Sequence, residues 1–510
     1  MRDLSDLVGL VNKSKLKSSS AFKLIIEPGS KMEFLFEAIA DKRVQSDDDA
    51  KALLEAQGDD PSKLSGLKNK LKDRLLDCVF LLDFKESSYS NRQKAFFECY
   101  KKWSAAMTLL IRNVKSTGID LLERLFRHSA RFEFTELCLD ILRVLKLQYS
   151  TVNGDAKAYD WAKTEYQKYE KIWVMESKAE EYYSELMLQF TNSKSTKTDL
   201  KETAEKYYAE LKPFMDECGS FKLHLFGRMI HLLVHNIVND YVEVAKLCEE
   251  AIAFFDKKDY DSGLPLQVFY YNLIVCYLQL KEFEKGQEII TRCEEFFEKG
   301  TFNWFKLQEL FFLLSMHTGH YSAAYQTFDR VTTYPRFEDK EVQIVEMWRI
   351  FEAYLYYLIK VEKIPANEVL PRHAKLKMQK VLNDLVVFVK DKRGMNISIL
   401  IVEILYTIAE KDYETAIERI DGFEKYCSRY LKDPDTFRSN NFIRMLLQIP
   451  LANFHKEAVS RKTEKYHKLL IGKPLEAANQ AHEIEIVPYE ALWSITMDLL
   501  DNKIYKRKKQ

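Results

Sequence analysis

Apolar side chains recur at intervals of three and four residues through almost the whole chain, and interruptions are few. That rhythm places them on one stripe of an α-helix, whereas a half-buried strand needs strict alternation. With 15 glycines and 11 prolines in 510 residues, there is little to break a helix or build a tight turn. Two short stretches, "FKLIIEPG" and "HEIEIVPYE", are the exceptions that read as strand. The expected fold is therefore all-α, and a parallel sheet with nucleotide chemistry has nothing to be built from.

Charge narrows the partner classes. Lys plus Arg and Asp plus Glu number 77 each, so the chain has no global pull toward nucleic acid or acidic membranes. Aromatic residues (32 Phe, 28 Tyr) are numerous enough to fill real cores. Eight cysteines (Cys78, Cys99, Cys138, Cys218, Cys248, Cys276, Cys293 and Cys427) are scattered without a C-x-x-C pair, mostly among apolar neighbours as in "LIVCYL". That pattern predicts buried reduced thiols, not a disulfide framework or zinc ribbon. The opening "MRDLSDLVGLVNKSKLK" carries acids where a signal peptide needs an apolar run. No window reaches about 18 consecutive apolar residues, and the best, "ISILIVEILYTIA", contains Glu403. A soluble cytoplasmic protein with no membrane span is expected.

Four segments emerge. Residues 1–85 form an N-terminal helical unit, in which Ser30 opens "SKMEFLFEAIADKRV" and Ser46 opens "SDDDAKALLEAQG". Leu64, Leu67, Leu71, Cys78 and Leu82 then follow one seam. Residues 90–195 hold helical pairs, broken at "STG" (116–118) and near Arg131, and then one long helix from about 153 to 192. Within it Tyr159, Tyr166 and Trp173 recur every seven residues, which predicts a packing seam. The polar "TNSKSTKTD" is the best internal joint. Residues 200–335 carry repeats, and 336–510 hold further helical repeats and a basic tail, "IYKRKKQ".

The repeats show a common signature. After the turn "LKEF" come Phe283, Gly286 and Ile290; after "TGHY" come Tyr321, Ala324 and Phe328. "EKDYETAIERI" gives Tyr413, Ala416 and Ile420, and looser copies begin at Tyr241 and Phe134. An aromatic, small, large pattern behind a tight turn resembles the tetratricopeptide repeat. The small residue lets two helices approach while its neighbours fill the seam. The step from Phe283 to Tyr321 is 38 residues, against about 34 in the family, and the trailing proline is missing. The resemblance implies a solenoid of stacked antiparallel helix hairpins acting as a protein-interaction scaffold, whose groove accepts a partner peptide or helix. Counted from the two turns, Tyr271, Gln279, Lys306, Glu309 and His317 would line that groove.

Three other features carry chemistry in principle. "KLHLFGRMIHLLVHN" sets His224, His231 and His235 within about 40° of one helical face. Arg228 lies in the same arc, and a fixed cation disfavours a metal, so the expectation is a polar helix face with no metal. Lys63, Lys68, Lys70, Lys72 and Arg74 crowd one helix of a module that loosely resembles a helix-turn-helix. The alternative reading is thus a DNA-associated regulator with a basic N-terminal reader and a repeat-array sensor. Phosphate-loop, dinucleotide, zinc-protease and nucleophile-elbow motifs are absent, so neither an enzyme nor a cofactor is expected.

Overall fold

The structure, a computed structural model, describes residues 1–13, 15–18, 20–81, 91–192, 197–374, 395–430, 437–471 and 485–505. Among them are twenty-three α-helices and no strand. No helix among the described residues is long and apolar enough to cross a membrane. The chain divides into two compact units, Met1–Met175 with Asp259–Asp261, and Glu176–Lys258 with Ser262–Gln510.

In the first unit α1 (Arg2–Lys13), α2 (Ser20–Ile25), α3 (Lys31–Ala40), α4 (Asp47–Ala56) and α5 (Leu64–Val79) share one apolar core. Leu4, Val8, Phe22, Ile26, Phe36, Leu71 and Leu75 are buried in it. "FKLIIEPG" is therefore not a strand: its first half closes α2 and the rest is turn, with Phe22 and Ile26, four apart, facing the core while Leu24 is exposed. The two caps form as their sequences dictate. Ser30 accepts from the amide of Glu33, and Ser46 with Asp49 makes a reciprocal capping box. Leu64, Leu71 and Cys78 are buried on α5 as expected, and Leu82 lies outside the described residues.

The unit continues through α6 (Asn91–Ile111), α7 (Lys115–Arg131) and α8 (Thr135–Gln148), each packed on the next. The expected break at 116–118 is displaced: the chain turns at 112–114, and α7 runs straight through Gly118. A Cβ there would collide with Leu110 of α6, so this glycine serves close helix approach and not a turn.

The long helix α9 (Ala156–Asn192) gives its residues up to Met175 to the first unit and the rest to the second. Its buried positions are Ala162, Met175, Glu176, Ala179 and Leu186. Of the seam expected through Tyr159, Tyr166 and Trp173, the first two are half-buried, with Lys146 of α8 over the Tyr166 ring, while Trp173 is exposed. Beyond Met175 the packed face includes Glu176, which is buried and accepts a hydrogen bond from Ser220. Residues 193–196 of the polar joint after α9 lie outside the described residues.

The second unit goes on with α10 (Lys197–Glu217), α11 (Phe221–Asn236), α12 (Tyr241–Asp256), α13 (Gly263–Leu280), α14 (Phe283–Cys293), α15 (Phe302–His317), α16 (Tyr321–Thr332), α17 (Val342–Lys360) and the one-turn α18 (Pro371–Ala374). It closes with α19 (Met395–Ala409), α20 (Tyr413–Tyr430), α21 (Phe437–Leu451), α22 (Lys456–Ile471) and α23 (Tyr489–Leu499). From α10 to α17 every helix packs on its sequence neighbour, and α13 also packs directly on α15. The small residues of the repeated signature sit at helix contacts. Ala324 and Ala416 are fully buried, and a Cβ on Gly286 would run into Leu314 of α15. Residues 485–488 of "HEIEIVPYE" are irregular and lead into α23, while 482–484 lie outside the described residues.

Candidate functional site

Helices α13 and α15 place the five expected groove residues unequally. Tyr271 is 36% exposed on α13. Lys306 and Glu309, one turn apart on α15, form an ion pair at 2.8 Å, with Glu309 only 12% exposed. Burial, reinforced by the Glu309 charge, raises the Tyr271 phenol above its ordinary range. These three therefore belong to one neighbourhood. Gln279 lies two turns further along α13 and is half-buried.

His317 is not a groove residue. It is 8% exposed, and its Nε2 meets the carbonyl oxygen of Glu485 at 2.5 Å. Desolvation brings its imidazole down to about 4. The segment leading into α23 thus covers the end of α15, a contact across 168 residues that no local pattern announces.

That segment is anchored by a buried ion cluster. Arg438, at the start of α21, donates from Nε and Nη2 to the two Glu485 oxygens at 2.6 and 3.1 Å. It donates from Nη2 to Glu490 at 2.8 Å and from Nη1 to the Leu470 carbonyl at 3.1 Å. Burial pushes the Glu485 carboxyl up, and the Arg438 guanidinium pulls against it.

The histidine helix α11 departs from expectation. His224 is not on a solvated face: it is 7% exposed, its Nε2 lies 3.0 and 3.1 Å from the carbonyl oxygens of Met215 and Cys218, and its ring stacks on Phe254. His231 is half-buried and stacks on Tyr208 at 3.8 Å. Desolvation holds both imidazoles down at about 4. His235 keeps a polar setting, 3.4 Å from Asp240. The cause is that α11 packs between α10 and α12, so both of its sides are occupied. Among the described residues no three His, Cys, Asp or Glu side chains are grouped to hold a metal ion.

On α5 the basic residues divide. Lys68 pairs with Asp47 at 2.8 Å and Lys72 with Asp3 at 3.4 Å. Lys63, Lys70 and Arg74 stay exposed. The acids of α1 and α4 therefore offset part of the positive field that a phosphate backbone would meet.

Seven cysteines are free thiols, six of them buried; the side chain of Cys427 lies outside the described residues.

No family model, no curated protein and no solved structure matches this chain.

Proposed function

We propose that the protein is a non-enzymatic interaction scaffold, a tetratricopeptide-like solenoid of stacked helix hairpins that binds a partner peptide or helix. The observation that carries this reading is the patch made by Tyr271, Lys306 and Glu309, where α13 and α15 pack directly on each other. An exposed aromatic beside a partly exposed lysine, which the largely buried Glu309 holds in place, offers one anchor and one directional cation to a peptide. The buried small residues Gly286, Ala324 and Ala416 support a hairpin repeat, because each sits where a larger side chain would hold two helices apart. The free thiols suit a reducing compartment, and a cytoplasmic setting belongs to the same reading. The mechanism is binding alone, with no cofactor or metal taking part.

The ion pairs of Lys68 and Lys72 weigh against the DNA-reader alternative, since two of the five residues meant for phosphate already have carboxylate partners. The test is Tyr271→Ala combined with Lys306→Glu in a quantitative co-purification. Capture of the partner should weaken at least about tenfold, as loss of an aromatic anchor and a charge reversal imply, and Tyr271→Ala alone, which leaves the Lys306–Glu309 pair intact, should already weaken it with the melting temperature nearly unchanged. Partner capture at wild-type strength would place the binding surface elsewhere.

A further inference from the structure

The interior of α11 raises a question that the scaffold reading does not use. Arg228 is half-buried, and among the described residues its buried Nε has no hydrogen-bond partner. The Phe254 ring lies 5.0 Å from its Cζ, centroid to atom, and the Glu250 carboxylate is near enough to act on its charge. A guanidinium offers five donors in a fixed fork, and burying it without an acceptor is costly. Such a side chain is kept where something else supplies the acceptor.

The space beside it has the right size and lining. A crevice of about 110 Å³ lies between α10, α11 and α12, bounded by Tyr208, Lys212, Asp216, His224, Arg228 and Glu250 among others. That is room for one small polyatomic group and less than a drug-sized ligand needs. The Tyr208 hydroxyl is a second donor on a side chain that lines the crevice, and its ring is fixed by stacking on His231. Lys212 is the third, tied back to Asp216 one turn along α10. Donors thus arrive from two helices, and the two histidine rings are neutral walls at pH 7.

We propose that this crevice binds a phosphate-class oxyanion, held by the Arg228 fork and the Tyr208 hydroxyl with Lys212 assisting. Three donors from separate positions match a tetrahedral group better than a planar carboxylate, and Arg is the residue suited to bidentate oxyanion contact. The charge balance limits the ligand further. Lys212 and Asp216 offset each other and exposed Glu250 stands opposite Arg228, so the crevice has no net positive charge to spare and takes at most one oxyanion group, held by directional donors, and not a polyphosphate chain.

The test is calorimetric titration of inorganic phosphate into the full chain at constant ionic strength, with acetate as the planar comparison. Phosphate should bind saturably at one site and more tightly than acetate. Arg228→Gln should weaken it at least about tenfold, the worth of a charge-assisted hydrogen bond. Tyr208→Phe keeps the stacked ring and removes only the donor, so it should weaken binding about fivefold without disturbing the fold. Glu250→Gln should tighten binding, because a competing carboxylate leaves the mouth of the crevice. The proposal is overturned if phosphate shows no saturable binding, if acetate binds as tightly, or if Tyr208→Phe and Glu250→Gln both leave the affinity unchanged.

Discussion

Arg438→Ala is the substitution whose cost the structure specifies most fully. It removes the donors that reach Glu485, Glu490 and the Leu470 carbonyl, and it leaves the Glu485 carboxylate, 3% exposed, facing Glu490. Removing one partner of a buried pair costs about 3–5 kcal/mol, because the remaining charge stays buried without compensation. The amide of Tyr489 still donates to Glu485 at 3.3 Å, which favours the lower end of that range. Because the chain has two compact units, the fitting assay is native-state hydrogen exchange at the amides of α23, which reads local opening. Protection there should fall by about a hundredfold or more, the exchange equivalent of 3 kcal/mol.

The effect should depend on pH in a definite sense. Without Arg438 the carboxyl of Glu485, already pushed up by burial, rises further above its unfolded value. The folded variant then binds a proton that the unfolded chain does not, so its deficit against wild type narrows as pH falls. Glu485→Gln, which leaves Arg438 on Glu490, should cost clearly less. A loss of protection under about fivefold in Arg438→Ala, with no pH dependence, would refute the reasoning.

Three further outcomes follow from the same geometry. His224 and His317 are held at about 4 when folded, so between that value and the ordinary 6.5 only the unfolded chain is protonated. Stability of the second unit should therefore drop on acidification by about 2 kcal/mol per pH unit near pH 5 from these two groups, read by urea unfolding at stepped pH; a flat profile from pH 6 to pH 5 contradicts it. Gly286→Ala should destabilise by about 1 kcal/mol, since the collision with buried Leu314 outweighs the better helix propensity of alanine; an increase in the urea midpoint contradicts it. Ser46→Ala removes the acceptor of a two-sided capping box and should cost about 1 kcal/mol, seen as faster exchange at the Asp49 amide.

What was legible in the sequence was local. The caps at Ser30 and Ser46 and the extent of α9 rest on interactions within a turn or on unbroken periodicity, and the structure reproduces them. The failures are contacts between distant segments. "FKLIIEPG" is rich in β-favouring residues, yet the core of α1, α3 and α5 recruits Phe22 and Ile26 as a helical pair. His317 looked like an open-face residue because Glu485 lies far away in sequence. The histidines of α11 shared one arc as expected, but a helical wheel cannot tell that α10 brings Tyr208 over that arc. The crevice at Arg228 was hidden for the same reason, since its donors lie on different helices.

The most direct test of the scaffold reading is site-specific photo-crosslinking in the native host. One photoreactive residue replaces Tyr271, and a parallel one replaces exposed Lys70 on α5. The account predicts one dominant protein adduct from position 271, lost when Lys306→Glu is added, and no specific adduct from position 70. Nucleic-acid adducts from position 70, with none from position 271, would contradict it.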